Sequence, residues 1–304
     1  MSTEGGTKAV VAALAANLGI AVSKFGAFAI TGSSSMLSEA VHSVADSGNQ
    51  VLLLYGGKRS KREASATHQF GYGRVRYVYG FVVSIVLFLV GGVFALYEGS
   101  HKVQHADDVG DTRIAIAVLV VAIILEAFSF RTALREANKE RGNRSLFAFV
   151  RDARQPELPV ILLEDAGALL GLLFAFVGVG MATVTGDARW DGLGAIAVGA
   201  LLVCIAVFLA VEMSSMLVGE AALPSEERAI TEALLGSVLV DRVIHLRTLH
   251  VGPDELLVAA KIAVTHTATA ADIARGIDDA ERALRARVPS AKYVFLEPDL
   301  DRLL

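Results

Sequence analysis

The chain contains very little cysteine: Cys204 is the only one among 304 residues. A single cysteine forms neither an internal disulfide nor a thiolate metal cluster, so we expect Cys204 to be a small apolar residue within a helix. The sequence also lacks a Gly-x-x-x-x-Gly-Lys phosphate-binding motif and a His-Glu-x-x-His zinc-hydrolase motif. It has no basic patch with interleaved aromatic residues. These absences argue against nucleotide hydrolysis, against zinc-dependent hydrolysis and against a nucleic-acid partner.

The composition is more apolar than that of a soluble protein. Hydrophobic residues make up 54% of the chain and charged residues 20%, against about 45–50% and about 25% in soluble domains. Nearly all long apolar runs lie before Val218, whereas the chain from Pro224 is rich in charge. The start, MSTEGGTK, is short and polar, so we expect no cleavable signal. The sequence predicts a transmembrane domain over residues 1–218 and a soluble domain over residues 219–304.

The apolar runs predict a six-helix transmembrane domain. A helix needs about 20 mainly apolar residues to cross a bilayer. The runs of that length are 9–30, 36–56, 77–96, 114–133, 158–183 and 192–216, called spans one to six below.

Positive charge predicts the orientation of these spans. The loops after spans two and four are rich in Lys and Arg, whereas the loop after span three carries only Lys102 and the loop near Gly186 only Arg189. Lys and Arg accumulate on the cytoplasmic side of membranes. We therefore expect both termini and the soluble domain to be cytoplasmic, in a bacterial inner membrane.

The soluble domain reads as a small α+β fold. Its pattern is helix–strand–strand–helix–strand, with a helix starting at Ser225, strands at 242–252, 255–265 and 291–298, and a second helix within 268–288. This order predicts a ferredoxin-like domain with one layer of helices over a three-stranded sheet. Such a sheet leaves one face and an edge to be covered, so we expect a homodimer.

Two spans carry polar residues that a bilayer disfavours. On span two, His42 and Asp46 lie one turn apart on the same helix face, and Asn49 continues that stripe. On span five, Glu164 and Asp165 stand side by side in an otherwise apolar run. A carboxylate at the membrane centre costs a few kcal/mol, so these acidic side chains need a compensating cation.

A divalent metal ion would supply that compensation. Imidazole and carboxylates without thiolate suit zinc, and also manganese, iron or cobalt. We predict His42, Asp46 and Asp165 as ligands from spans two and five, with Glu164, Asn49 or water as the fourth. Neighbouring residues on a helix differ by about 100°, so Asp165 and Glu164 do not face one point equally, and Asp165 is preferred.

At these residues the sequence resembles the cation diffusion facilitator family. The resemblance covers six spans, the polar pair on span two, the acidic position on span five, the segment HQFGYGR after span two and the α+β tail. It implies a homodimeric exporter that exchanges Zn²⁺ or a related ion for protons at a tetrahedral site between spans two and five. The Glu-Asp pair is similar to the branch that includes mitochondrial zinc transporters.

The resemblance also marks departures from the family pattern. Ile161 stands where span five of the family has a histidine ligand, and Tyr72 replaces the second histidine of the cytoplasmic loop. Lys261 is among the residues at the positions of the family's tail ligands, which implies no zinc cluster in the tail. The resemblance further implies an ion pair between Arg74 and Glu220.

We therefore expect a zinc exporter working by metal/proton antiport, not an enzyme. Metal ligands must lose their protons before metal binds, so protonation on the far side releases the metal, and histidine titrates near cellular pH. The alternatives are the same fold exporting Mn²⁺, Fe²⁺ or Co²⁺, and a metal-responsive membrane scaffold that transports nothing.

Overall fold

The computed structural model describes residues 11, 14–15, 17–26, 29, 34–105, 112–265 and 267–299, without the side chains of 34–42 and 114. The chain divides into two compact units. The membrane unit comprises the chain up to Arg59 and Arg76–Ser214, and the C-terminal unit comprises Ser60–Val75 and Ser215–Leu304.

Helices form the membrane unit. Residues 17–26 are helical, and the helices after them are α1 (Ser34–Ser60), α2 (Val75–Val86), α3 (Phe94–Gln104), α4 (Arg113–Arg141), α5 (Leu146–Asp152), α6 (Glu157–Thr185) and α7 (Arg189–Val218). A π-helical stretch, Leu87–Val93, joins α2 and α3 into one continuous helix.

Four helices in the described part of the chain are long and apolar enough to cross a membrane. They are the α2–α3 helix, α4, α6 and α7, and they correspond to predicted spans three to six. Many of their large apolar side chains face outward; Val184, for example, is 84% exposed. Apolar side chains on the outside of long helices are expected where lipid replaces water. The chain is an integral membrane protein.

The other two predicted spans are less apolar or only partly described. Span two corresponds to α1, which is helical but carries the buried polar residues Ser43, Ser47, Asn49 and Gln50. Span one lies partly outside the described residues. Its described residue Asn17 donates from Nδ2 to Oε1 of Gln50 at 3.2 Å, a buried polar contact to α1.

Glycine allows α7 to pack closely against the α2–α3 helix. A Cβ added to Gly99 would lie 2.7 Å from the carbonyl oxygen of Gly192, and one added to Gly199 would lie 2.7 Å from the backbone nitrogen of Leu96. Small residues at helix interfaces let membrane helices approach backbone to backbone. This close contact therefore requires glycine, which has no side chain, at these positions.

A buried ion pair joins α2 to the start of α6. Arg76 donates from Nε to Oε1 of Glu157 at 2.5 Å and from Nη2 to Oε2 at 2.6 Å, and both side chains are about nine-tenths buried. Two parallel bonds between a guanidinium and a carboxylate fix geometry as well as charge. The pair anchors α6 two turns before Glu164 on the same helix.

The C-terminal unit contains the predicted α+β domain. Helix α8 (Pro224–Leu235) is followed by β1 (Val240–Gly252), β2 (Glu255–Val264), α9 (Ala270–Arg287) and β3 (Ala291–Asp299). The sheet has the order β1-β2-β3, with β1 antiparallel and β3 parallel to β2. The predicted order of helices and strands is confirmed.

The helices cover one face of this sheet. Alternate residues of β2, including Leu256, Val258 and Ile262, are buried against Ile230 of α8 and Leu284 of α9. On the other face Phe295 is 56% exposed.

The first helix of the domain begins one residue earlier than the predicted Ser225. Pro224 takes the first helical position, and Oε2 of Glu226 accepts the N–H of Leu223 at 3.0 Å. Proline suits this position because its missing N–H has no partner at a helix start.

The loop after α1 belongs to the C-terminal unit. The Phe70 ring packs edge-on against Tyr293 of β3, with ring centres 5.1 Å apart. The resemblance implied an ion pair between Arg74 and Glu220. Among the described contacts, Arg74 does not reach the Glu220 carboxylate. Its Nη2 donates to the carbonyl oxygen of His250 at 3.3 Å, and the His250 N–H donates to the carbonyl oxygen of Glu220 at 2.8 Å.

Candidate cation site

A hydrogen bond between α1 and α6 brings two of the predicted site residues together. Asn49 donates from Nδ2 to Oε1 of Glu164 at 2.9 Å, and the two residues are 1% and 6% exposed. Within the described part of the chain, the other oxygens of these side chains, Asn49 Oδ1 and Glu164 Oε2, are buried without a hydrogen-bond partner. Buried polar atoms are rarely left in this state, and oxygen atoms with free lone pairs are potential cation ligands.

Asp165 is held from another helix. Its Oδ2 accepts a hydrogen bond of 2.8 Å from Oγ of Ser129 on α4, and the residue is 2% exposed. This bond uses one lone-pair site of the carboxylate, which has two on each oxygen. Glu164 and Asp165, which differ in direction around the helix, are therefore both buried, and each is positioned by a different neighbouring helix.

Four carboxyl groups influence one another in this region. Asp46, half-buried on α1, acts electrostatically on Glu126, Glu164 and Asp165. We call Asp46, Glu126, Glu164 and Asp165 the acidic cluster. Removing several like charges from water together is costly unless a cation accompanies them. The arrangement therefore favours binding of a cation.

The predicted ligand set is not tested as a whole. The side chain of His42 lies outside the described residues, although its backbone is part of α1. Among the side chains that are described, no group of three or more His, Cys, Asp and Glu residues is close enough to hold a metal ion. The set His42, Asp46, Asp165, Glu164 and Asn49 stays a prediction.

The comparison with protein families decides the class of the molecule. Residues 10–218 match the cation efflux transmembrane domain. The chain belongs to the cation efflux family. The predicted family is thus confirmed, and cation efflux proteins are transporters rather than enzymes.

Individual relatives of this cation efflux protein come from animals and bacteria. It is 32% identical over 247 residues to "Proton-coupled zinc antiporter SLC30A9, mitochondrial" of Xenopus laevis. The aligned residues make up 81% of this chain but only 44% of that relative. It is 24% identical over 295 residues to "Cation-efflux pump FieF" of Pectobacterium atrosepticum, covering 95% and 91% of the two chains. The nickel form of a MamM C-terminal domain aligns with 26% of the chain and all of that domain, at 19% identity and a TM-score of 0.25. The chain spans less than half the length of the zinc antiporters that it matches.

Two residues of α4 in this cation efflux protein were not predicted as part of the site. They are Glu126, which belongs to the acidic cluster, and Ser129, which bonds to Asp165. Glu126 and Ser129 are buried, at 6% and 3% exposed, and lie three residues apart on one helix face. Their spacing in an apolar span was the available signal. Helical spacing does not indicate the distance between span four and spans two and five, so Ser129 was not connected with Asp165.

The histidine segment after α1 and the tail position Lys261 have contacts of their own. The His68 ring stacks on Tyr72, with ring centres 4.5 Å apart. The Lys261 ammonium lies 2.9 Å from Oδ2 of Asp299 and 3.0 Å from Oε1 of Glu297. Hydrogen bonds to Asp299 and then to Glu297 raise the pKa of Lys261. At this tail position, a lysine side chain supplies the positive charge near two carboxylates.

Proposed function

We propose that this cation efflux protein exports a divalent transition-metal cation, zinc first, in exchange for protons. The observation that carries the proposal is the buried Asn49–Glu164 hydrogen bond between α1 and α6, in which each side chain keeps an oxygen with no hydrogen-bond partner among the described residues. Asp165 and Asp46 add carboxylate charge beside it. The proposed site lies between predicted spans two and five.

The ligand chemistry supports a transition metal. His42, Asp46 and Asp165 would supply nitrogen and oxygen ligands from two helices, and Glu164 or Asn49 would supply a fourth. Zinc takes such ligands in tetrahedral sites, and Mn²⁺, Fe²⁺ and Co²⁺ take similar ones. Glu164 and Asn49 are hydrogen-bonded to each other across α1 and α6. A cation bound to either side chain would therefore be held by a ligand that the opposite helix positions.

Proton exchange follows from the same side chains. The cation binds from the cytoplasm when the carboxylates and the imidazole have lost their protons. When the site opens to the other side, protons compete for the same lone pairs and the cation leaves. Return of the protonated site to the cytoplasm completes one exchange. The relative from Xenopus laevis is named a proton-coupled zinc antiporter, and this similarity supports both the ion and the counter-ion proposed for this chain.

The proposal includes orientation and assembly. Basic loops after spans two and four favour cytoplasmic termini, in a bacterial inner membrane, with residues 1–218 as the transport domain and 219–304 as the cytoplasmic domain. The sheet face that carries the exposed Phe295 supports a homodimer, because a second copy would cover it. The molecular mass of the purified chain in micelles tests this assembly.

Transport into proteoliposomes with a pH gradient tests the function. We expect uptake of Zn²⁺ accompanied by opposite proton movement, measured beside Mn²⁺, Fe²⁺ and Co²⁺. The changes Asp165→Asn, Glu164→Gln, Asp46→Ala and His42→Ala should each lower uptake at least tenfold, since loss of a group that only supports a ligand already costs about 10–100-fold.

A matched control lies on α4 outside the acidic cluster. Glu136→Gln removes a carboxylate that pairs with the exposed Lys139, and its uptake should equal that of the unchanged chain. Normal uptake in the four site variants would defeat the site assignment. Absence of flux for all four ions in the unchanged chain would favour the scaffold alternative.

A further inference from the structure

Lys24 is a lysine buried in the membrane unit. It is 5% exposed and lies in the helical segment 17–26. Its Nζ donates to Oγ of Ser43 on α1 at 3.0 Å. Ser43 lies three residues before Asp46, on the same side of α1. Lysine within a membrane is costly and is retained where it has a role.

Lys24 lies beside the acidic cluster, because its partner Ser43 is one helical turn from Asp46 on α1. The ammonium acts on the Glu126 carboxyl with a sign opposite to that of Asp46 and Asp165. Glu126 in turn acts on Glu164. In the described part of the chain, Oε2 of Glu126 is buried without a hydrogen-bond partner. The cluster thus combines four carboxyl groups with one ammonium at its edge.

We infer that the Lys24 ammonium is a tethered counter-cation that weakens binding of the transported ion and speeds its release. This inference rests on the proposed function. Without a metal, the ammonium offsets part of the carboxylate charge. When a divalent ion enters the cluster, the ammonium repels it, and Coulomb repulsion is strong where little water screens it. Transport requires a site that binds well enough to load and weakly enough to unload.

The inference predicts opposite effects for two single changes. Lys24→Gln removes the repulsion, so zinc should bind about tenfold more tightly and turnover should fall. Glu126→Gln removes an attractive charge, so zinc should bind about tenfold more weakly. The double variant should bind with an affinity close to that of the unchanged chain, because the two charges offset each other. Lys24→Arg keeps the charge and should keep the affinity.

Zinc binding by the full chain in nanodiscs, measured by competition with a fluorescent chelator, tests these signs. Uptake into proteoliposomes measures turnover for the same variants. Lys102→Gln is the matched control: Lys102 is a partly exposed membrane-helix lysine paired with Asp191, and its change should leave zinc affinity unaltered. If Lys24→Gln does not fold, Lys24→Met makes the same charge change and carries the same expectation.

The outcomes separate this inference from the function on which it rests. If the unchanged chain neither binds nor transports any of the four ions, the proposed function fails and the inference fails with it. Suppose instead that the unchanged chain transports zinc, and that the folded Lys24 variant binds zinc no more tightly than the unchanged chain. Then only the inference is overturned. Tighter binding with slower turnover supports it.

Discussion

Replacing Arg76 by methionine should destabilise the membrane unit strongly. The change removes the guanidinium that makes both hydrogen bonds to Glu157, at 2.5 and 2.6 Å. The Glu157 side chain is 9% exposed, so its carboxylate would be left in a place where water reaches it poorly. The cost of the change is the cost of that uncompensated charge rather than the net worth of the pair.

The magnitude follows from the position of Glu157. Removing one partner of a buried ion pair costs about 3–5 kcal/mol. Glu157 is the first residue of α6, and a helix N-terminus stabilises a carboxylate by about 0.3–1 kcal/mol. We therefore expect the free energy of unfolding to fall by about 2–4.7 kcal/mol. The unfolded fraction then rises roughly 30- to 3000-fold, at about 1.36 kcal/mol per factor of ten.

Unfolding in mixed micelles, followed by circular dichroism as SDS is added, measures this change. The double variant Arg76→Met with Glu157→Met should recover most of the loss, since apolar replacement of both partners removes the buried charge. Lys139→Met is the control: Lys139 is 67% exposed and pairs with Glu136 one turn away, and such surface pairs contribute about 0–1 kcal/mol. An Arg76→Met variant as stable as its control, or a double variant no better than the single one, would refute the reasoning.

Two further predictions concern the helix interface and the C-terminal unit. Gly99→Ala should lower the thermal unfolding midpoint because its Cβ would lie 2.7 Å from the Gly192 carbonyl oxygen. Gly180→Ala should raise the midpoint, because no atom of the described residues lies within 4 Å of its Cβ. Equal midpoints would contradict this. Hydrogen bonds from the Thr269 side chain, then from Arg275 and the Thr269 N–H, lower the pKa of Asp272 from 3.8 to about 2. The stabilisation is present above pH 3.8 and lost as the pH falls through about 2, and Thr269→Ala should move the midpoint of a ¹³C carboxyl NMR titration upward; an unmoved midpoint would assign the shift to another group.

Apolar length predicted the four long membrane helices. Spans three to six are found because their runs exceed the membrane thickness. The α1 helix covers predicted span two, but it mixes Asn49 and Gln50 with apolar residues and is not among the four described helices that are long and apolar enough to cross a membrane. The π-helical stretch Leu87–Val93 was not predicted. Gly92 within it packs closely against α7, where an added Cβ would lie 2.7 Å from the Val203 side chain.

The sequence indicated candidate site residues within single helices, but not the contacts between helices. Helical spacing aligned Asp46 with Asn49, and the unusual Glu164–Asp165 pair marked α6. The bond of Asn49 to Glu164 and that of Ser129 to Asp165 are contacts between helices. Spacing within one helix does not state which residues of another helix face it, so the role of α4 emerged only from the three-dimensional arrangement.

The C-terminal unit is built from two separate parts of the chain, because the loop Ser60–Val75 belongs to it. A fragment starting at residue 219 would lack Phe70, which packs on Tyr293, Arg74, which bonds the His250 carbonyl, and Gly73, whose added Cβ would lie 2.8 Å from Gly252. Excised in that way, the tail would therefore differ from its form in the intact polypeptide. A faithful isolated piece would require residues 60–75 to be supplied as a peptide or grafted by a linker.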